Sequence, residues 1–162
     1  MQHAPVGVVG IIAPWNYPLV LAISDAIPAI MAGNTVVLKP DSSTPMTSLR
    51  AAELLAEAGL PKDVLTVVPG SGREVGQALV NSVDYLMFTG SSDTGAKLAS
   101  QAGERLIGFS GELGGKNPLI VTSDADVDKV VSGVRHACFS NTGQLCISIA
   151  VSYTHLTLPT KA

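Results

Sequence analysis

The sequence holds no two basic residues side by side. Its 10 lysines and arginines are scattered among 13 acidic residues, for a formal charge of −3. A nucleic-acid surface needs clustered cations to neutralise phosphates, and this pattern argues against one. Long apolar runs are lacking too. Every apolar stretch is broken by Gly, Pro or Asp before it reaches bilayer length, so no membrane span is expected. The first such stretch has no basic segment before it and runs into Pro-Trp-Asn-Tyr-Pro, which is not a secretion signal. Cysteine is scarce. Cys138 and Cys146 are too few for a disulfide framework, and a reducing, cytoplasmic setting is the default. No Cys/His cluster has the spacing of a metal site, and neither internal repeats nor low-complexity segments stand out.

What remains is apolar and rich in turn residues: 46% hydrophobic, 14% charged, with 16 Gly and 10 Pro. That balance suits a loop-rich α/β protein rather than a disordered chain. At 162 residues there is room for one domain with a real core, not for two of full size. The mean hydropathy of +0.37 is high. It fits strands buried on both faces in a parallel sheet, or a piece of a larger protein.

Strand-like and helix-like segments alternate along the chain. "VGVVGIIAP" (Val6–Pro14), "TVVLKP" (Thr35–Pro40), "VLTVVPG", "DYLMFTGS", "RLIGFSGELGG" and "NPLIVT" read as strands. Between them, "LVLAISDAIPAIMAG" reads as a helix closed by Gly33. A second helix opens at Thr44-Pro45 with an N-cap and a first-turn proline. "SGREVGQALVNS" reads as a helix entered through glycines, "SDTGAKLASQAG" as another, and "DADVDKVVSGVRHACFSN" as the last, acidic in its first turn. Alternation at this spacing predicts a Rossmann-like, doubly wound parallel sheet. The closing stretch "VSYTHLTLPTKA" starts like a strand, then turns polar and proline-containing without a cap.

Several strand ends carry residues suited to chemistry. "PWNYP" (Pro14–Pro18) clamps Trp15 and Asn16 between prolines, where open α/β sheets place ligands. The pentad alone fits two roles equally: a rigid turn in which Asn16 caps backbone, or an amide N–H aimed at a developing oxyanion. In "LKPDSSTP", Lys39 is held between an apolar strand and a proline. With Ser42 and Ser43 it could bind a ribose or a phosphate. "PGSGREVG" places Gly70, Gly72 and Gly76 after a strand, one residue longer than a true GxGxxG. "FTGSSDTG" repeats the strand–Gly–Ser–helix arrangement through Gly90 and Ser91, and a phosphate suits such helix starts. Cys138 lies in the helical "RHACF" and reads as a core thiol. His136 is on the same helix and reads as a surface or core residue rather than a catalytic one, while His3 and His155 lie near the chain ends. Cys146 follows Gly143-Gln144 in a loop, as a nucleophile would. Asn16 and the Cys146 backbone could then donate to an oxyanion, with Glu112 of "GELGG" as base. Taken alone, Glu112 would pass as a solvated turn carboxylate.

The ordered set "PWNYP", "LKPDSSTP", "FTGS", "ELGGKNP" and "GQLC" resembles the NAD(P)-dependent aldehyde dehydrogenase superfamily over about Pro5 to Ala150. "DYLMFTGSSDTG", "RLIGFSGELGGKNP" and "CFSNTGQLCIS" look most like its succinate-semialdehyde branch. The resemblance implies that Cys146 is the nucleophile, forming a thiohemiacetal and, after hydride transfer, a thioester. It implies that Asn16 and the Cys146 N–H form the oxyanion hole and that Glu112 activates water. Trp15, Lys39, Ser42, Gly72, Gly76, Gly90, Ser91 and Leu113 are the cofactor residues so implied. Members that select NAD often carry Glu at position 42; Ser42 leaves room for a 2′-phosphate and favours NADP. A small aldehyde is the implied partner, in a homo-oligomer. The same likeness divides the chain into a cofactor domain (residues 5–112), the start of a catalytic domain (113–150) and a tail (151–162) of non-native character. Family members are far longer, with segments before and after this one. Two other classes stay open: a nucleotide-binding module without turnover, and the branch that passes its thioester to coenzyme A. Glu112 argues against the latter.

Overall fold

Short β-branched runs separated by helix formers fold here as their pattern dictates. A computed structural model describes residues 4–154. Contacts divide the chain between Leu113 and Gly114 into two units. The first contains β1 (Val8–Ile12), α1 (Val20–Met31), β2 (Thr35–Lys39), α2 (Pro45–Glu57), β3 (Leu65–Val67), α3 (Gln77–Val80), β4 (Tyr85–Thr89), α4 (Ser92–Glu104) and β5 (Gly108–Glu112). The second contains β6 (Asn117–Val121), α5 (Val127–Phe139) and β7 (Ile149–Thr154).

All five strands of the first unit are parallel, in the order β3-β2-β1-β4-β5. The chain winds outward from β1 to β3, then resumes on the other side of β1. That reversal creates a switch point between β1 and β4, the expected doubly wound arrangement. Strand alternation splits the core in two. Val9, Ile11, Val36 and Leu38 pack with Ala22 and Ala26 of α1. On the opposite face Leu86, Phe88 and Ile12 meet Leu79 and Val80 of α3 and Leu98 of α4. Leu38 and Leu86 are wholly buried, each contributing about 1.5–3 kcal/mol of apolar transfer free energy.

The helix ends show why the turns hold. Gly33, at φ +87°, follows Ala32, the C-cap of α1. Its N–H donates to Ile30 O (2.9 Å) and that of Asn34 to Ala29 O (3.1 Å), pairing the last carbonyls of the helix. Asn34 Oδ1 in turn accepts from the Val6 and Gly7 N–H groups at 2.7 and 3.1 Å, fixing the entry to β1. Two expectations need correction. Thr44 stands at the N-cap of α2 but its side chain makes no capping bond; the rigid Pro45 at the helix start suffices. "SGREVGQALVNS" is not one helix. Gly72–Gly76 forms a π-helical turn, with Gly76 N–H reaching five residues back to Ser71 O (3.4 Å), and only Gln77–Val80 is α-helical.

In the second unit β6 and β7 pair in parallel through the α5 connection, with a register shift at Pro118, which has no N–H to give the ladder. Asp126 caps α5, its Oδ1 accepting from Asp128 and Lys129 N–H at 3.1 and 3.2 Å. No described residue of this unit is fully buried. Cys138, expected in a core, is therefore only half-buried, because α5 buries none of its residues. His136 is exposed. β7 draws Val151–Thr154, assigned to the tail by sequence, into a strand; His3, His155 and the rest of the tail lie outside the described residues.

Candidate active site

Because the five strands of the first unit run the same way, their carboxyl ends share one edge, and the loops leaving them carry the expected residues. Trp15 and Asn16 follow β1, the former 47% exposed and the latter half-buried. Lys39 closes β2. It is 4% exposed, not solvated, and its Nζ donates to Pro40 O at 2.6 Å. Beneath it lies an apolar pocket of about 200 Å³ lined by Val37, Val68, Val75, Leu79 and Val83. Burial there pulls the amine's pKa down, and the Asp41 charge partly restores it. Ser42 Oγ donates to Gly70 O (3.1 Å), tying the loop after β2 to the loop after β3.

Gly72 and Gly76 bound the π turn. A Cβ at Gly72 would meet nothing within 4 Å, whereas Gly76 lies over the Lys39 stem. After β4, Gly90 N–H donates to Glu112 O (3.0 Å) and anchors the backbone of that residue. Ser91 caps α4, its Oγ accepting from Thr94 N–H at 3.3 Å. Leu113 lies against Gly95 of α4. The set joins one amine, two hydroxyls and the N-terminus of a 13-residue helix, with open space at Gly72. That donor chemistry fits a nucleotide bearing ribose hydroxyls and phosphates.

Glu112 ends β5 with its side chain exposed. Sequence reasoning missed its neighbour Asp25, on α1. Burial first, and the Glu112 charge second, hold the Asp25 carboxyl above the ordinary carboxylate range. A lone acid in an apolar helix face was the available signal.

Cys146 belongs to the second unit and is half-buried. Ahead of it Asn141 (φ 49°), Thr142 (φ 55°) and Gly143 (φ 76°) are successively left-handed. For β-branched Thr142 this is a strained conformation, of the kind that gathers at functional loops. Asn117, also missed from sequence, fastens the loop: its Nδ2 donates to Cys146 O (2.7 Å) and Ser148 O (3.2 Å). Gly115 lets that peptide approach, since a Cβ there would lie 2.6 Å from Cys146 O. An amide side chain at a strand start, just before a proline, was the signal. Among the described residues no group of His, Cys, Asp and Glu could hold a metal ion, and no helix is long and apolar enough to cross a membrane.

Comparison with known proteins adds the wider context. The family model described as "Aldehyde dehydrogenase family" matches residues 1–158. A protein of Mycolicibacterium smegmatis, provisionally named an NADP(+)-dependent succinate-semialdehyde dehydrogenase, is 62% identical over 153 residues, covering 94% of this chain and 30% of its own length. The phenylacetaldehyde dehydrogenase of Pseudomonas fluorescens is 47% identical, over 95% of this chain and 31% of its own. Among solved structures, the NAD+ complex of an aldehyde dehydrogenase from Bacillus cereus superposes with a TM-score of 0.92 at 42% identity, covering 95% of this chain and 32% of that one.

Proposed function

The chain belongs to the aldehyde dehydrogenase family, and from that premise we propose that it carries the cofactor fold and the nucleophile of an NADP-preferring succinate-semialdehyde dehydrogenase. It spans 30% of the length of the first relative it matches, so the reaction is that of the whole protein. The observation that supports this most is the convergence of the loops after β1 to β5, carrying "PWNYP", "LKPDSSTP", "PGSGREVG", "FTGS" and "ELGG", on the carboxyl edge of one parallel sheet.

Cys146, as thiolate, attacks the aldehyde carbon, and the carbonyl electron pair moves onto oxygen. The Asn16 amide and the Cys146 N–H donate to that oxyanion. Bound NAD(P)+ supplies a hydride acceptor, which allows the adduct on Cys146 to become a thioester. Glu112 then takes a proton from water whose oxygen attacks the thioester carbon; the C–S bond breaks, and carboxylate and thiolate separate. Lys39 and Ser42 hold the adenosine ribose, Gly72 and Gly76 leave room beside it, Gly90, Ser91 and the α4 N-terminus hold phosphate, and Trp15 and Leu113 line the cofactor's path. Ser42 is short and uncharged, so a 2′-phosphate meets no repulsion there. The M. smegmatis relative is named for NADP(+).

The test uses a chain carrying this segment at the length of its relatives. Succinate semialdehyde should drive NADPH formation faster than phenylacetaldehyde, and NADP+ should outperform NAD+. The reverse order of aldehydes overturns the substrate, and a strong NAD+ preference overturns the role of Ser42. Cofactor binding without aldehyde-dependent reduction would leave only a nucleotide-binding module.

A further inference from the structure

A second acidic group shares the sheet face of the proposed base. In the β4–β5 ladder Met87 is opposite Ser110 and Thr89 opposite Glu112. Paired residues in a parallel ladder point to the same side, so Tyr85, Met87, Ser110 and Glu112 share one face. It is the face that Val9 and Ile11 present to α1. α1 places Asp25 over it: Asp25, Tyr85 and Met87 line one pocket of about 270 Å³. The Tyr85 and Ser110 hydroxyl oxygens lie 2.7 Å apart. The face thus carries a carboxyl on α1, two joined hydroxyls, and a second carboxyl toward the carboxyl edge.

We infer that Asp25 is a positioning residue for deacylation, receiving through the Tyr85–Ser110 hydroxyl pair the proton that Glu112 takes from water. The inference rests on Glu112 being the base. Water loses a proton to the Glu112 carboxylate as its oxygen bonds the thioester carbon and the C–S bond breaks. Glu112 gives that proton to one hydroxyl, which releases its own to the other. The second hydroxyl protonates Asp25, which returns the proton to solvent. Each hydroxyl ends as it began, Glu112 is again a carboxylate, and nothing is oxidised or reduced.

Burial and the Glu112 charge raise the proton affinity of the Asp25 carboxylate above that of a solvated one, which suits an acceptor. Competing charges face elsewhere. β1 brings none to this face, and Lys39 of β2 lies on the opposite one, registered with Ile12. α2, also packed on α1, carries Arg50 engaged with Glu53 (2.9 Å) and Glu57 (3.2 Å) on exposed surface.

The experiment compares Asp25→Asn, Tyr85→Phe and Glu112→Gln in a chain of the relatives' length, by rapid-mixing and steady-state NADPH formation across pH. Asp25→Asn should leave the pre-steady-state burst and the KM for NADP+ unchanged while slowing deacylation about tenfold. In the wild type the deacylation rate falls as pH drops through the raised Asp25 pKa, because a protonated acceptor cannot take a proton. In Asp25→Asn that limb is lost. Tyr85→Phe should slow deacylation and lose the same limb, because the proton no longer reaches Asp25, and it decides the matter if Asp25→Asn does not fold. A wild-type pH profile in Asp25→Asn, or wild-type deacylation in Tyr85→Phe, overturns the relay while a slow Glu112→Gln sustains the base. Wild-type deacylation in Glu112→Gln overturns both.

Discussion

The two units bury their apolar residues to very different extents. In the first, Ile11, Leu38, Leu86, Val36, Val80 and Val83 are all less than 2% exposed, because helices cover both faces of a five-stranded sheet. In the second, Ile120 and Val127 are 72% exposed and Phe139 70%, because two strands and one helix cannot enclose a core. The proposed cofactor donors thus stand on a frame that holds itself. The proposed nucleophile is fixed by local means: the Asn117 bonds, the close Gly115 backbone and a left-handed run before Cys146. Cofactor binding and nucleophilic attack are thereby assigned to parts of unequal rigidity, and that assignment can be broken experimentally.

The largest expected effect separates the two outright. In a chain of the relatives' length, Cys146→Ser should lower aldehyde-dependent NADPH formation on the order of 10⁴-fold, as removal of a nucleophile does. NADP+ affinity, measured by calorimetry, should stay within about twofold, since one substitution in the second unit leaves the first unit's frame intact. Joint loss of both would mean that the division between binding and chemistry is wrong.

Next comes the frame itself. Leu86→Ala should destabilise the 162-residue chain by about 2–5 kcal/mol, the range for truncating a buried leucine. Ile120→Ala should change stability by no more than about 0.5 kcal/mol. Urea unfolding followed by Trp15 fluorescence, with hydrogen exchange resolved by segment, checks both. Equal effects would show that β6 is as well packed as β4.

Much of the first unit's fold was legible in the sequence, and what was not shares one cause. Strands and helices could be read because each is a local pattern: "TVVLKP" is β-branched and ends in proline, and "IMAGNT" closes a helix with glycine. The doubly wound sheet followed from the alternation. Hidden features depend on residues far apart. Asn117 meets Cys146 across 29 positions, and nothing near "GGKNP" names that partner. Asp25 sits in an unremarkable helix and matters only because the β4–β5 register carries Glu112 to the same face. The π turn was missed for a subtler reason: "SGREVG" suits either helical pitch, and the choice is made by hydrogen bonds to Ser71.

A smaller effect tests how the nucleophile loop is fastened. Asn117→Ala removes the two bonds to Cys146 O and Ser148 O, each worth about 0.5–1.5 kcal/mol. Cys146 alkylation, followed by mass spectrometry so that Cys138 serves as internal reference, should rise about threefold to tenfold as the loop loosens. An unchanged ratio of the two cysteines would show that the left-handed run alone holds the loop.

The smallest effect falls within the rigid unit and carries a sign that depends on pH. Asp25 has a raised pKa in the folded state, chiefly from burial. Such an acid contributes stability that is fully present below its unfolded pKa and is lost as pH rises through its folded pKa. Near neutral pH the wild type therefore folds with a disfavoured charge. Asparagine keeps the shape without that charge, so Asp25→Asn should raise Tm slightly, by the equivalent of no more than about 0.5 kcal/mol, since the side chain is part-exposed and screened. The gain should close as pH falls below the ordinary carboxylate range, where wild-type Asp25 is neutral too. Thermal melts at the two pH values decide it. A variant more stable near neutral pH yet slower in deacylation would mark Asp25 as a group held for the reaction against the interest of the frame. A variant less stable at both would make it an ordinary packing residue.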